Sequence, residues 1–355
     1  MNSVRHYAWF LAAIVGIFCV VVSYWLFVTN QQLNRENTFE RNHKSKVENI
    51  LQNKPQKPIL FIGDVMVGRY VETLMKEKGD SYPFGDMDEL LLSYVTIANL
   101  EGSIPVRHIK TPLQGFTFSF VSTTPALLLR HGVTAVSLAN NHSMDHGQGG
   151  YVNTKNALDA VVLSHFGANN TTSSDYFETK IGTTTAIIYG INMITSNWSS
   201  EKALSVTREL RKEHPHSYLI AFMHWGDEYH HAQNETQRNL AHQLVDSGVD
   251  LIIGSHPHVT QGVEVYKGRL IFYSLGNYIF DQYFSKDVQQ SFALSLEEDN
   301  KNIVYTILPI ISTRSRVSMA TGSAQDSIVE VIRENSSESL KEQIEARKIV
   351  TPRFR

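Results

Sequence analysis

Apolar residues occur in one long run near the start of the chain and in short runs after it. Residues Tyr7–Val28 carry no charged side chain. A run of that kind reaches the roughly 20 residues a helix needs to cross a bilayer. It lacks the shorter apolar core and small-residue cleavage site of a removed signal peptide, and Phe18 before Cys19 spoils a lipoprotein-type cleavage site. The pattern predicts a six-residue flank (1–6), an uncleaved transmembrane signal-anchor (7–28) and, over 29–57, a polar stalk rich in Asn, Gln, Lys and Glu. From Pro58 the apolar runs shorten: 59–62, 95–99, 133–139, 218–223, 249–254 and 270–276, β-branched or aromatic and bounded by Gly, Asn or Asp. Such runs suit buried strands. Helical patterns over 86–94, 123–131, 150–163 and 235–247 lie between several of them, and this alternation predicts a layered α/β domain over 58–320 with an at least partly parallel sheet. Residues 168–175 read as a polar loop. The end, 321–355, reads as a C-terminal amphipathic helix or a charged tail.

Composition narrows the partners. The chain has 355 residues, 32 Lys+Arg against 35 Asp+Glu and a formal net charge of -3, which suits one large domain or two small ones and gives no electrostatic case for nucleic acid. One cysteine, Cys19, excludes internal disulfides and Cys-rich zinc sites. The charges flanking the apolar run, Arg5 before it and Arg35, Arg41, Lys44 and Lys46 after it, leave the side of the membrane open, because large domains often cross regardless of flanking charge.

The candidate chemistry lies at the ends of the predicted strands. One strand runs into Asp64, the next into Glu101, and others into Asn140-Asn141-His142, into His224, and into His256 and His258. Singly, each has an ordinary reading: a turn former, a helix cap, an Asn in a left-handed turn, a core histidine. In open α/β sheets, however, the carboxyl ends of strands gather at one edge, where ligands bind. If extended, His256 and His258 point to one side. Carboxylate, amide and imidazole together suit Mn²⁺, Fe²⁺ or Zn²⁺, in one or two ions, with Glu101 placed to bridge a pair. Two ions about 3.5–4 Å apart bind an anionic substrate and lower the pKa of a shared water to about 7. The sequence holds no GxxxxGK[ST] loop, HExxH or GxSxG, and no thiol outside the apolar run. His165, His214, His216, His230 and His231 do not end predicted strands and read as surface or packing residues.

The strings GDVMVGR (63–69), ANLEGSI (98–104), SLANNHSMDHG (137–147), HWGDEY (224–229), GSHPHVTQGVE (254–264) and YSLGNYIFD (273–281) resemble, as an ordered set over about 58–310, the CapA family of poly-γ-glutamate capsule biosynthesis proteins. That family looks like a branch of the calcineurin-like metallophosphoesterases. The resemblance implies a β-sandwich flanked by helices with a two-metal site at strand ends. It implies Asp64 and His258 on a first metal, Glu101 bridging, and Asn141, His224 and His256 on a second. His142 would be proton donor or oxyanion partner, and Asp145 would orient it or a water. Glu228 would act beside the ligands or in the chemistry. Arg69 would meet an anionic substrate or support the site, with an ordinary surface arginine as the alternative reading, and Asn140 and Asn277 would support the site. One departure matters: the phosphoesterase parent has Asp-x-His at the first strand end, whereas here Met66 follows Asp64-Val65. A thioether is a poor ligand for these ions, so the first position is a ligand short and unequal occupancy is expected.

The resemblance further implies a single-pass cell-membrane protein with its domain outside the cytoplasm and capsule synthase membrane subunits as partners. Three functions compete. The first is a metal-dependent hydrolase or transferase acting on a phosphoester or amide of an anionic polymer, which requires Glu101 and His256 for turnover. The second is a non-catalytic accessory subunit of polymer synthesis or export, which requires the membrane span. The third is a stand-alone surface metallophosphoesterase.

Overall fold

The computed structural model describes residues 57–112, 115–168 and 172–353. The expected span Tyr7–Val28 and all but the last residue of the stalk lie outside them. No helix among the described residues is long and apolar enough to cross a membrane.

The first half winds strand and helix in turn. Strand β1 (Ile59–Val65) leads to helices α1 (Arg69–Lys78) and α2 (Asp88–Ser93). Strand β2 (Val95–Leu100) leads to α3 (Thr124–Arg130), β3 (Val133–Ser137) to α4 (Gly147–Asp159), and β4 (Ser164–Phe166) completes the run. A second winding starts with the hairpin β5 (Tyr176–Ile181) and β6 (Thr184–Asn192). It continues through α5 (Ser200–Glu213), β7 (Tyr218–His224), α6 (Glu235–Asp246), β8 (Leu251–Ser255) and the hairpin β9 (Val263–Tyr266) and β10 (Arg269–Phe272). The chain then returns to the first sheet with β11 (Asn277–Ile279), the meander β12 (Gln290–Asp299), β13 (Asn302–Thr313) and β14 (Arg316–Met319), helices α7 (Ser323–Glu334) and α8 (Lys341–Glu345), and β15 (Lys348–Pro352).

One sheet has the order β14-β13-β12-β1-β2-β3-β4, with β11 beside β1 and β15 beside β13; the other has β5-β6-β7-β8-β10-β9. Neighbours β1 to β4 are parallel, as are β6, β7, β8 and β10. The period of two along each strand separates two buried faces. Ile59, Phe61 and Ile97 share a core with Ile220, Phe222 and Ile253 of the other sheet. Leu60, Ile62 and Ala98 pack with Val71, Leu91 and Leu128 of the flanking helices. On the far side, Ile187, Tyr189 and Ala221 pack against Leu210 and Leu240. The result is a helix–sheet–sheet–helix sandwich, and burial on both faces explains why the parallel strands read as continuous apolar runs.

The apolar run 270–276, read as one strand, is divided. β10 ends at Phe272, and after Gly276, at φ 79°, β11 joins the other sheet. Gly276 makes this crossing possible because a positive φ strains side chains with a Cβ. Met66, fully buried, lies in the helix-side core with its Sδ accepting the Gly68 N–H at 3.1 Å. In the C-terminal segment, Ile328 and Ile332 of α7 and Ile344 of α8 enter the core between the sheets.

Candidate metal centre

The site continues the interior face of the sandwich at its rim. On β2, Ile97 points into the core, so Asn99 follows on the same face; on β7, Ile220 and Phe222 lead to His224, and on β8, Leu251 and Ile253 lead to Ser255. On β1 the alternation would place Gly63 there. The register with β2 instead slips from Phe61↔Ile97 to Asp64↔Asn99, an extra residue of the kind that re-aims a side chain. Asn277, Asp64, Asn99 and Ser137 thus form one row across the first sheet, and Asn192, His224 and Ser255 a row across the second.

Asn99 is the hub. Its Nδ2 donates to Asp64 Oδ1 at 2.7 Å and Glu101 Oε2 at 3.2 Å, and its Oδ1 accepts from Asn140 Nδ2 at 3.0 Å. Asn140 also donates to the Leu100 carbonyl at 2.9 Å and accepts the His142 N–H at 3.0 Å. Asp64 Oδ2 accepts the His256 N–H at 3.2 Å and lies 3.4 Å from His258 Nδ1. Asn277 Oδ1 is 2.9 Å from the same nitrogen, and the Asn277 amide donates to the Val288 carbonyl at 3.1 Å. His258 Nε2 is 3.6 Å from Glu101 Oε1. On the second sheet, His224 Nδ1 sits 3.0 Å from Ser255 Oγ and its Nε2 2.7 Å from Asn141 Oδ1; the His224 and His256 rings are 4.7 Å apart.

All six expected ligands therefore converge from the two sheets. Asp64, Glu101 and His258 offer ligand atoms within 4.8 Å of one another, and so do Glu228, His256 and His258. The second group brings exposed Glu228 to the ligand atoms themselves, closer than the sequence required. His256 and His258 do not converge by strand alternation. They follow the end of β8 with φ of 94° and 60°, and a turn brings their rings to 5.7 Å. Arg69 and Tyr229, at φ 47° and 67°, add to the positive-φ residues gathered here, a concentration typical of functional sites.

The donor set fits a cation. Glu101 Oε1 and His256 Nδ1 are buried without a hydrogen-bond partner, and each such orphan costs about 1–3 kcal/mol. Burial, then Asp64, pushes the Glu101 carboxyl well above its usual range. Burial, then His256 and His258, pulls His224 well below 6.5, and burial with His258 takes His256 down to about 3. Both imidazoles are therefore neutral at pH 7, the form that binds a metal, and His256 Nδ1 has no other partner. A divalent ion would satisfy the orphans and offset the carboxylate repulsion.

His142 stands beside this cluster. Its Nδ1 is 2.9 Å from Asp145 Oδ2, its ring stacks on Phe118 at 3.9 Å, and its Nε2 is 4.0 Å from Glu101 Oε1. Asp145 also accepts the Phe118 N–H at 2.5 Å, so it orients His142 and fixes the stacking ring. Arg69 lines the cavity beside this cluster and is held from several sides. Its Nη2 pairs with Asp281, its Nη1 donates to the Gly115 carbonyl at 3.3 Å, and its guanidinium lies 4.7 Å from the Phe118 ring centre. Asp281 and Phe118 were not singled out in the sequence. The roles of Asn99 and Ser255 also went unread, although Asn99, two residues before Glu101 on a strand, carried the signal.

The family model described as bacterial capsule synthesis protein PGA_cap matches residues 58–282. PGA biosynthesis protein CapA of Bacillus subtilis is 31% identical over 242 residues, covering 62% of this chain and 63% of that protein. Capsule biosynthesis protein CapA of Bacillus anthracis is 28% identical over 273 residues, covering 70% and 66%. The match thus spans somewhat less than two thirds of each relative's length. A probable polyglutamine synthesis accessory protein of Mycobacterium tuberculosis is 24% identical over 234 residues, 56% of this chain and 60% of that one. A hypothetical protein of Thermus thermophilus superposes with a TM-score of 0.43 at 17% identity, covering 74% of this chain and 98% of that one. Matched by the family's model over more than half of its length, the chain belongs to the bacterial capsule synthesis protein family PGA_cap.

Proposed function

We propose that this chain serves capsule polymer synthesis as a membrane-anchored, extracytoplasmic protein. In this reading its rim site, holding one or two divalent ions, hydrolyses a phosphoester or amide bond beside an acidic group. The observation that carries the reading is the pair of buried, unpartnered ligand atoms, Glu101 Oε1 and His256 Nδ1, among neutral imidazoles. Asp64, Glu101 and His258 would hold one ion; Asn141, His224 and His256, with Glu228 at the edge, would hold another. A divalent ion supplies charge for an anionic group and acidifies water. The chain's own residues do the rest. Asn99 and Asn277 keep Asp64, Glu101 and His258 oriented. Asp145 at Nδ1 leaves His142 Nε2 to hand a proton to a leaving group. Sheets on both sides exclude water from the buried ligands.

The test is metal content and turnover of the purified full chain, stripped and refilled with Mn²⁺, against phosphoester and γ-glutamyl amide substrates. Glu101→Gln and His256→Ala are expected to cut turnover about 100-fold or more, the scale of losing a transition-state stabiliser. Undiminished turnover in Glu101→Gln would refute the hydrolytic reading. The name of the mycobacterial relative, an accessory protein, favours a second reading in which the metal serves binding alone. Bound metal without turnover, together with lost polymer in cells carrying the same variants, would select it.

A further inference from the structure

The loop 104–117 reverses the polarity expected of a surface in water. It leaves the metal rim after Glu101 and is closed at its base, where the Ser103 N–H donates to the Phe118 carbonyl at 3.1 Å and the Phe120 N–H to the Ser103 carbonyl at 2.9 Å. Its polar side chains turn to the protein. His108 Nδ1 lies 2.7 Å from Ser119 Oγ and its Nε2 3.2 Å from Glu72 Oε2, Lys110 donates to Thr73, and Thr111 is buried. Its apolar side chains turn out: Val106 is 85% exposed, Ile109 68% and Phe116 84%. Phe284, 66% exposed, stands with Phe116 on the wall of a cavity of about 500 Å³ that reaches His142 and His258. Single apolar residues scattered over a surface need no explanation, but a set gathered at one rim marks a surface that something covers.

Two features point to what covers it. The first is charge. From Gly102 to Met144 the chain carries no carboxylate, and the basic residues Arg107 and Lys110 alternate with the outward apolar ones and are themselves exposed. Beneath the loop, Glu72 is engaged by Lys76 and His108. Beside Phe284, exposed Lys286 and Asp287 offset each other. Apolar side chains interleaved with basic ones suit the interface of an anionic bilayer. The second feature is the tether. Residues 29–56, between the expected span and the described chain, reach at most about 100 Å when extended, and a folded unit of about 300 residues is roughly 50 Å across. Lys57 leads into β1 at the edge opposite the rim. The tether is therefore long enough for the rim to turn back to the membrane that holds the chain, and a tethered surface needs only weak affinity to dock.

Resting on the membrane-anchored reading above, we propose that the loop 104–117, with Phe284, docks on an anionic lipid bilayer. Val106, Ile109 and Phe116 enter the headgroup region, and Arg107 and Lys110 meet lipid phosphates. The cavity then opens at the membrane surface, and the candidate metal centre meets its substrate there. The test uses the full chain with its one cysteine replaced, Cys19→Ser, reconstituted into vesicles of phosphatidylcholine and phosphatidylglycerol. An environment-sensitive fluorophore is attached at Val106→Cys or, as the control, at Val162→Cys, a position 86% exposed just before β4 at the edge opposite the rim. The probe at 106 is expected to shift to the blue and to be quenched by spin-labelled lipid, and the probe at 162 to do neither. Arg107→Gln should lower the docking equilibrium about fivefold, the scale of one basic side chain at an anionic surface. Ile109→Ser with Phe116→Ser should lower it by about tenfold or more without changing the melting temperature, because both side chains are exposed. A probe at 106 quenched no more than one at 162, or docking indifferent to these variants, would overturn the proposal. So would quenching at 106 that requires a second membrane protein, which would assign the loop to that protein. In each of these cases a chain that stays with the vesicles leaves the anchor reading standing. A full chain that the vesicles do not hold would instead remove the anchor reading, and the proposal with it.

Discussion

His256 shows how burial prepares a residue before any metal arrives. Unfolded, its imidazole takes a proton near 6.5; folded, burial and neighbouring His258 delay this to about 3. Across that window the unfolded chain binds more protons, so stability falls as pH falls, by about 1.4 kcal/mol per pH unit. The loss is absent above 6.5 and complete below about 3. Glu101 works the other way: its raised pKa makes the folded form hold a proton that the unfolded chain has released above 4.5, so its contribution weakens as pH rises. In the metal-free chain, His256→Asn should therefore flatten the acid loss of stability between pH 6.5 and 4 by about one proton's worth of slope. Asn tolerates the positive φ of this position. Denaturant unfolding with a chelator present, repeated across that range, measures the slope; identical slopes in parent and variant would show that burial does not depress this histidine. Residues such as Asp64, His224 and His258 were legible in the sequence because each ends an apolar run. The orphan atoms were not, since they exist only where two sheets meet.

At the scale of elements, the site depends on how closely β1 and β11 approach. A Cβ on Gly63 would come within 1.8 Å of the Gly276 carbonyl oxygen, a backbone atom that cannot swing aside, while the adjacent Asp64 N–H donates to that oxygen at 3.1 Å. Gly63→Ala must therefore push β1 and β11 apart at the register slip that aims Asp64. It is expected to cost on the order of 3 kcal/mol, at the upper end of ordinary substitutions, and to weaken metal binding in the same variant. Gly149 is the control: it lies in α4, and a Cβ added there would meet no atom within 4 Å, so Gly149→Ala should be neutral or stabilise by up to about 1 kcal/mol. Thermal melts and Mn²⁺ titration of the two variants decide it; a harmless Gly63→Ala would remove the role given to the slip. Five of the parallel strands, β1, β2, β3, β7 and β8, and the helices α2, α3, α4 and α6 were readable because their faces are buried with a clear period, while α1, α5 and β4 were not picked out. The hairpin β5–β6 and the meander β12 to β14 were not picked out. The edge strands β5 and β14 carry polar or mixed positions, as in YFETKI of β5, whereas β6 and β13 are interior and hold the apolar runs AIIYGI and ILPII, which were legible as strands. The division of 270–276 between two sheets is likewise a matter of tertiary pairing, which local pattern does not encode.

At the scale of the whole molecule, the candidate ligands join two separately wound sheets. Asp64, Glu101 and Asn141 come from one, and His224, His256 and His258 from the other. An ion held across them binds only the folded sandwich and must stabilise it by mass action, by about 2.7 kcal/mol at a hundredfold excess over its dissociation constant. The two positions are not equivalent. Met66, at the position where the resemblance implies a third ligand, is turned into the helix-side core with its sulfur engaged by the Gly68 N–H, so it does not join Asp64. The position of Asn141, His224 and His256 has its three donors already converging, with His224 and Asn141 atoms 2.7 Å apart. Mn²⁺ titration followed by metal analysis and melting should therefore show two steps. The tighter step should vanish in Asn141→Ala and the weaker one in Asp64→Asn, and each should raise the melting temperature on its own. Two ions bound with equal affinity, or a melting temperature indifferent to both, would show that Met66 does not create the asymmetry and that the metal does not bridge the sheets.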